Sequence, residues 1–245
     1  MSTTPPRTIY NVDPPPVDLI RSIVTSPSPP PTPAKPSYGI DSPLGLLLSC
    51  FAAPLYLYAT LRGKSLAWDA IYASLPPSSS PALDVGCGRG LVLFKLAAAR
   101  GTRAYGIDLF RTGDQTGNGP AATYRNAAAL GLLDRVVLHE ASFTESFPFA
   151  DGAFGVVASS LALHNADRAG RRTAVAEMAR VCGPGGRIVL VDLCGYFGDH
   201  RAVLEGLGWT DVVVSFVGWR MVFGIWPCQL LVATKPQRAE SQEAA

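Results

Sequence analysis

The sequence predicts an α/β fold: a Rossmann-like, doubly wound, mostly parallel seven-stranded sheet with an antiparallel last strand. Three observations carry this expectation. From about Gly63 onward, short apolar runs alternate with helical segments, the pattern of a parallel sheet covered on both faces. A glycine-rich turn, Gly86-Cys87-Gly88-Arg89-Gly90, follows one such run and opens a helix. The last two strand-like runs, 212–217 and 229–234, have no helix between them, which suits antiparallel pairing at a sheet edge.

The 245 residues suit one domain of ordinary size with extensions. Of 21 prolines, 11 lie within residues 1–36. Proline lacks the backbone donor and blocks both helix and sheet, so residues 1–37 are expected to form a disordered Pro-rich arm. Residues 38–62 are expected to form an apolar helix. Its uncharged run, Leu44 to Leu61, would span roughly 27 Å as a helix, just short of the ~30 Å hydrocarbon core of a bilayer. Two readings stay open for this stretch: a membrane anchor, and a lid lying over the domain that follows. Arg62 and Lys64 come directly after it, which for an anchor places the remaining chain on the cytosolic side. The chain is thus expected to be cytoplasmic, or membrane-associated with its folded domain facing the cytosol.

That domain is expected at residues 63–235, ahead of a polar tail at 236–245. Ser65 to Leu75 reads as a helix stopped by Pro76 and Pro77. Strands are expected at 81–86, 103–108, 135–140, 154–160 and 187–192, and helices at 91–100, 121–130 and 171–181. The turn Gly183-Pro184-Gly185-Gly186 ends the last of these helices.

Composition excludes several classes. Charged residues make up 16% of the chain, against ~25% in an ordinary soluble domain. The net charge of +2 and pI near 8.3 argue against a dedicated nucleic-acid binder. Five cysteines without a C-x-x-C pair suggest free thiols in a reducing compartment. The three histidines, His139, His164 and His200, fall at no metal-ligand spacing, so no metal site is expected.

The chemistry concentrates at the glycine turn. Gly86, Gly88 and Gly90 let a ligand approach the backbone, and the helix N-terminus offers free N–H donors. Asp108 follows Gly86 by 22 residues and ends the next strand, where a carboxylate can grip both hydroxyls of a ribose. Two adenosine-type ligands compete. Nicotinamide dinucleotides favour G-x-G-x-x-G, whereas the spacing here is G-x-G-x-G with Leu91 next. Asp84, two residues before the first glycine, would repel a pyrophosphate and suit a cation.

At these residues the chain resembles the class I S-adenosylmethionine-dependent methyltransferases, over roughly 63–235. Asp84 to Gly90 resembles the family's first motif, and Asp108 its ribose-binding acid. Phe147-Pro148-Phe149-Ala150-Asp151-Gly152-Ala153-Phe154 resembles its approach to strand four, and Arg180 to Arg187 its turn into strand five. The resemblance implies S-adenosyl-L-methionine as cofactor, held by Asp84, Gly86, Cys87, Gly88, Gly90, Asp108, Leu109, Ser142, Phe143 and Ser159. It implies methyl transfer to a small or lipophilic molecule, with no nucleic-acid partner. Ser142 stands where many relatives have an adenine-binding aspartate, and Gly155 where strand four usually carries aspartate. A narrower resemblance, to a group of small methyltransferases, rests on Asp114-Gln115-Thr116-Gly117-Asn118, on Ser159 to Asn165 and on Gly218-Trp219-Arg220. Some of its members carry apolar N-terminal segments near a Tyr-Gly-Ile-Asp, as at Tyr38 to Asp41 here.

His164 and Asn165 fall just past strand four, beside the crevice where open α/β sheets bind ligands. His164 is therefore the candidate general base, with a packing or cofactor-lid residue as the other reading. Asp192, ending strand five, is read either as orienting substrate or as capping a turn. Trp219, Arg220 and Trp226 are read either as an aromatic wall or as edge packing, and Arg171 and Arg172 as a solvated face. A nicotinamide-dependent oxidoreductase and a non-catalytic cofactor-binding scaffold remain the alternatives. The acceptor and the oligomeric state are not legible.

Overall fold

The computed structural model describes residues 53–113, 115–224 and 226–237, and Arg21. Apart from Arg21, the arm expected at 1–37 lies outside the described residues, as do the stretch at 38–52, Asp114, Ile225 and the tail from 238 onward.

The described chain opens with helix α1 (Ala53–Tyr58), which passes through a π-helical segment (Ala59–Gly63) into α2 (Lys64–Ala73). The inward residues Tyr56, Ala59, Gly63, Ala67 and Ile71 recur at three- and four-residue spacing, as one helical face requires. Helical structure therefore runs straight through 62–63, where the sequence suggests a boundary. The wide π turn coincides with a close approach. A Cβ on Gly63 would stand 1.9 Å from the Arg220 carbonyl oxygen, so only glycine lets the helix sit there. Among the described residues no helix is long and apolar enough to cross a membrane.

The Rossmann-like sheet follows. β1 (Ala82–Val85), α3 (Leu91–Arg100), β2 (Ala104–Asp108), α4 (Pro120–Ala129) and β3 (Val136–Glu140) build one half. β4 (Phe154–Ser160), α5 (Arg168–Val181), β5 (Cys182–Leu193), α6 (Phe197–Gly206), β6 (Thr210–Phe216), β7 (Val222–Phe223) and β8 (Trp226–Thr234) build the other. The strand order is β3-β2-β1-β4-β5-β8-β6, with the short β7 paired to β8. β1 to β5 are parallel; β8 runs antiparallel to both β5 and β6. The expected topology holds, with β7 as a two-residue addition. β5 starts earlier than expected, at Cys182, and carries the Gly-Pro-Gly-Gly turn within its range. α5 starts at Arg168 because Asp167 caps it, accepting the Gly170 amide at 2.7 Å.

Alternation along β1 divides the core. Leu83 and Val85 join Val175, Met178 and Leu204 on the α5–α6 face. Ala82 joins Trp68, Leu93 and Tyr124 on the face covered by α2, α3 and α4. Arg180 ties two of the family-like motifs together. Its guanidinium donates to the Phe147 and Phe149 carbonyls and to Asp151 and Glu177, while Glu177 accepts the Phe147 amide at 2.7 Å. Chain order reverses between β1 and β4, so the crevice at their carboxyl ends is the topological switch point.

Candidate active site

A cavity of about 380 Å³ opens at that switch point, within the usual range for small-ligand sites. Its floor is the glycine turn. Gly86 and Cys87 donate their amides to the Ile107 carbonyl at 2.8 and 3.1 Å, and the Gly90 amide bonds the Cys87 carbonyl at 2.9 Å. Gly86 takes φ +73°, and a Cβ there would strike the Ala162 side chain at 2.3 Å. Glycine is required on both counts.

Asp108 stands beside the turn. One oxygen accepts the Gly88 amide at 2.8 Å; the other accepts the Phe110 amide at 2.5 Å and the Asn118 side chain at 3.3 Å. Phe110 takes φ +52°, a left-handed conformation that costs a non-glycine residue about 1–3 kcal/mol. The turn is braced from behind as well. Gln115 accepts the Arg89 amide at 3.0 Å, Thr123 donates to the Gly88 carbonyl at 2.8 Å, and Asn126 donates to the Arg89 carbonyl at 3.0 Å. Gln115 and Asn118 thus hold the glycine turn and Asp108 in place. Thr123 and Asn126 were not anticipated; their signal is two buried polar residues, three apart, on an alanine-rich helix.

Asp84 is buried, and neither carboxyl oxygen has a hydrogen-bond partner. Burial pushes its pKa up to about 8; the Leu93 amide draws it down and the Asp108 charge pushes it further up. Lys64, also buried and also lining the cavity, is pushed down to about 8, chiefly by desolvation. The Cys87 thiol is pushed well up by burial and then by Asp84 and Asp108.

The opposite wall comes from the end of β4. His164 lies on a single 3₁₀ turn, Leu163–Asn165. Its Nδ1 is 2.7 Å from Asp192 Oδ1, and its amide donates to Asp192 Oδ2 at 3.2 Å. Asp192 also accepts the Leu193 amide at 2.8 Å, which fits the turn-capping reading, and its other partner is His164. The two side chains are 11% and 3% exposed, a sequestered histidine–carboxylate dyad. A carboxylate at Nδ1 keeps the proton there and leaves Nε2 with a free lone pair. Phe223 packs 5.3 Å from the imidazole, centroid to centroid.

Of the expected cofactor residues, Asp84, Gly86, Cys87, Gly88, Gly90, Asp108, Leu109, Ser142 and Phe143 all line this cavity, as does His164. Ser159 does not. Its hydroxyl turns into the sheet and donates to the Val85 carbonyl at 2.7 Å. Strand alternation brings Ser160 to the cavity instead, where it accepts the Trp68 indole N–H at 3.0 Å. Ser142 accepts the Thr144 amide at 3.2 Å and shares a 2.9 Å hydroxyl contact with Thr144. Trp219, Arg220 and Trp226 do not line the cavity; the aromatic residues that do are Phe143 and Phe223. Arg171 is not on a solvated face either: it donates to the Ala166 carbonyl at 2.6 Å and lies 4.5 Å over the Tyr196 ring.

Comparison with known proteins adds an independent line. Residues 83–190 match the family described as "Methyltransferase domain". A probable chloroplastic tocopherol O-methyltransferase of Oryza sativa subsp. japonica is 36% identical over 132 residues, covering 54% of this chain and 34% of the relative. A ubiquinone/menaquinone biosynthesis C-methyltransferase of Brucella anthropi is 33% identical over 134 residues, covering 53% and 48%. The chain thus spans half or less of the length of these two curated relatives. Among solved structures, a geranyl diphosphate methyltransferase in complex with S-adenosylmethionine superposes with TM-score 0.57 at 18% identity, covering 82% of this chain and 98% of that one. That last likeness is one of fold.

Proposed function

We propose that this chain, whose residues 83–190 match a methyltransferase domain family, is a class I S-adenosylmethionine-dependent methyltransferase that methylates a small lipophilic acceptor with His164 as the general base. The cavity's residues fit the donor. Asp84 is an orphaned, buried carboxyl aimed at the cavity, and a cationic amino-acid head would restore its charge. Asp108 keeps lone pairs for the ribose hydroxyls beyond its three backbone and amide partners. When bound, S-adenosylmethionine supplies a methyl group already activated on sulfonium, so the protein's work is positioning and desolvation.

The single observation that carries the reading is the dyad. His164 Nε2 would take the proton from an acidic hydroxyl or carbon acid as the methyl is accepted. Asp192 fixes the ring and stabilises the imidazolium that results. Phe143, Leu161 and Phe223 set apolar side chains into a lining that is otherwise mostly polar, and these three support a lipophilic acceptor. The relatives named for tocopherol and for ubiquinone/menaquinone support the same class. The nicotinamide alternative gains no support from the family match, and a non-catalytic scaffold would have no use for the dyad.

Dyad variants test this. His164→Asn should lower kcat by about 10²–10⁴-fold, the usual worth of a positioned base, with the donor Kd unchanged. Asp192→Asn should lower kcat in the same direction. Full turnover by His164→Asn would reduce the histidine to packing.

A further inference from the structure

We propose that the rim of the cavity is a docking surface for an anionic lipid bilayer, from which a lipophilic acceptor passes directly into the cavity. The acceptor's route rests on the function proposed above; the docking does not.

Two segments form this rim. Thr60 and Lys64 line the cavity from the helical side, and Phe223 from the β7 side. They meet where Gly63 backs onto the Arg220 carbonyl. From these same segments large apolar side chains stand out into solvent. Leu57, Tyr58 and Leu61 are 48%, 42% and 78% exposed on the helix. Phe216, Trp219 and Trp226 are 51%, 69% and 63% exposed on the strand side. Phe216 and Trp219 pack edge to face at 6.1 Å, so they form one aromatic projection. Isolated exposed apolar residues are ordinary, but a cluster bordering a binding cavity marks an interaction site.

Charge selects the occupant. Residues 53–66 and 212–226 contain no Asp or Glu, while Arg62 and Arg220 are exposed among them. Tryptophans beside arginines, without acids, match the headgroup layer of a membrane with anionic lipids. A second copy of the chain fits less well, because a twofold contact would bring the same cationic surface against itself. The helix would lie in the interface plane, since no described helix is long enough to span.

The test uses the full chain with vesicles of phosphatidylcholine alone and of phosphatidylcholine mixed with phosphatidylglycerol. The protein should sediment with the mixed vesicles, more weakly with the neutral ones, and less as salt rises. Its tryptophan emission should shift to the blue on binding. The double variant Leu61→Ser/Trp219→Ser should reduce partition at least about tenfold, and Arg62→Gln/Arg220→Gln should remove the preference for phosphatidylglycerol. Melting curves matching the parent exclude unfolding as the cause. Binding by both variants at the parent's strength would overturn the proposal and pass the role to residues 44–52. A parent that self-associates yet ignores both vesicle types would overturn it in favour of a self-interface. A parent that binds mixed vesicles but no S-adenosylmethionine would keep the docking surface and sink the function.

Discussion

Asp84 is the residue whose chemistry most depends on what fills the cavity. Its carboxyl has a pKa near 8 in the folded chain and an ordinary one near 4 when unfolded. Between those values the folded state holds the extra proton, so stability falls as pH rises from about 4 to about 8. Below pH 4 both states are protonated and the penalty vanishes. Asp84→Asn should therefore raise the melting temperature of the ligand-free protein at pH 8, with a gain that shrinks toward pH 5. A pH-independent gain would mean that the carboxyl is not the buried acid described. Asp108 is the opposite case, a carboxylate already held by three donors. Asp108→Ala should weaken S-adenosylmethionine by about 1–3 kcal/mol, as for other lost charge-assisted bonds. Calorimetry measures it directly, and NAD should give no heat with either protein.

At the scale of elements, the bracing of the glycine turn is the main addition to what spacing alone reveals. Gln115 reaches across 26 residues to take the Arg89 amide. Gln115→Ala should weaken donor binding by about 0.5–1.5 kcal/mol, the worth of one ordinary hydrogen bond, without touching the dyad. The helix through Gly63 has its own test. Gly63→Ala would drive a methyl into the Arg220 carbonyl and should cost about 1–3 kcal/mol of stability, as overpacking does; an unchanged melting curve would mean the helix is not seated there. Legibility divided along physical lines. Strands such as 154–160 were readable to the residue because burial on both faces favours a short run of apolar and small residues. Helix α6 was not foreseen. Its short sequence carries Gly198 and buries only Phe197, His200 and Leu204, too few contacts for a clear helical period. The glycine turn and Asp108 were legible because their spacing is local. The His164–Asp192 bond was not, since the residues are 28 apart and only the pairing of β4 with β5 brings them together. Ser159 was misplaced for the related reason that alternation at a strand end decides between neighbours.

For the whole molecule, the low charge and the parallel sheet are one fact. A sheet buried on both faces needs apolar strands, and its order reversal puts the glycine turn, Asp108 and His164 at a single crevice. β1, β2 and the glycine turn build one half of that crevice, and β4, β5 and β7 the other; the function proposed above gives the donor to the first half and the acceptor to the second. The helix from Ala53 and the hairpin around Trp219 then frame its mouth. This division of labour predicts that donor binding and methyl transfer are separable by mutation. The most direct measurement follows the methyl group itself. The full chain would be incubated with methyl-labelled S-adenosylmethionine and a total lipid extract, and the organic phase analysed for new labelled species. Label should enter a lipophilic product with the parent protein and fall to background with His164→Ala, while both bind the donor equally. Label that stays wholly in the bound donor, or that transfers as fast with His164→Ala, would contradict the account.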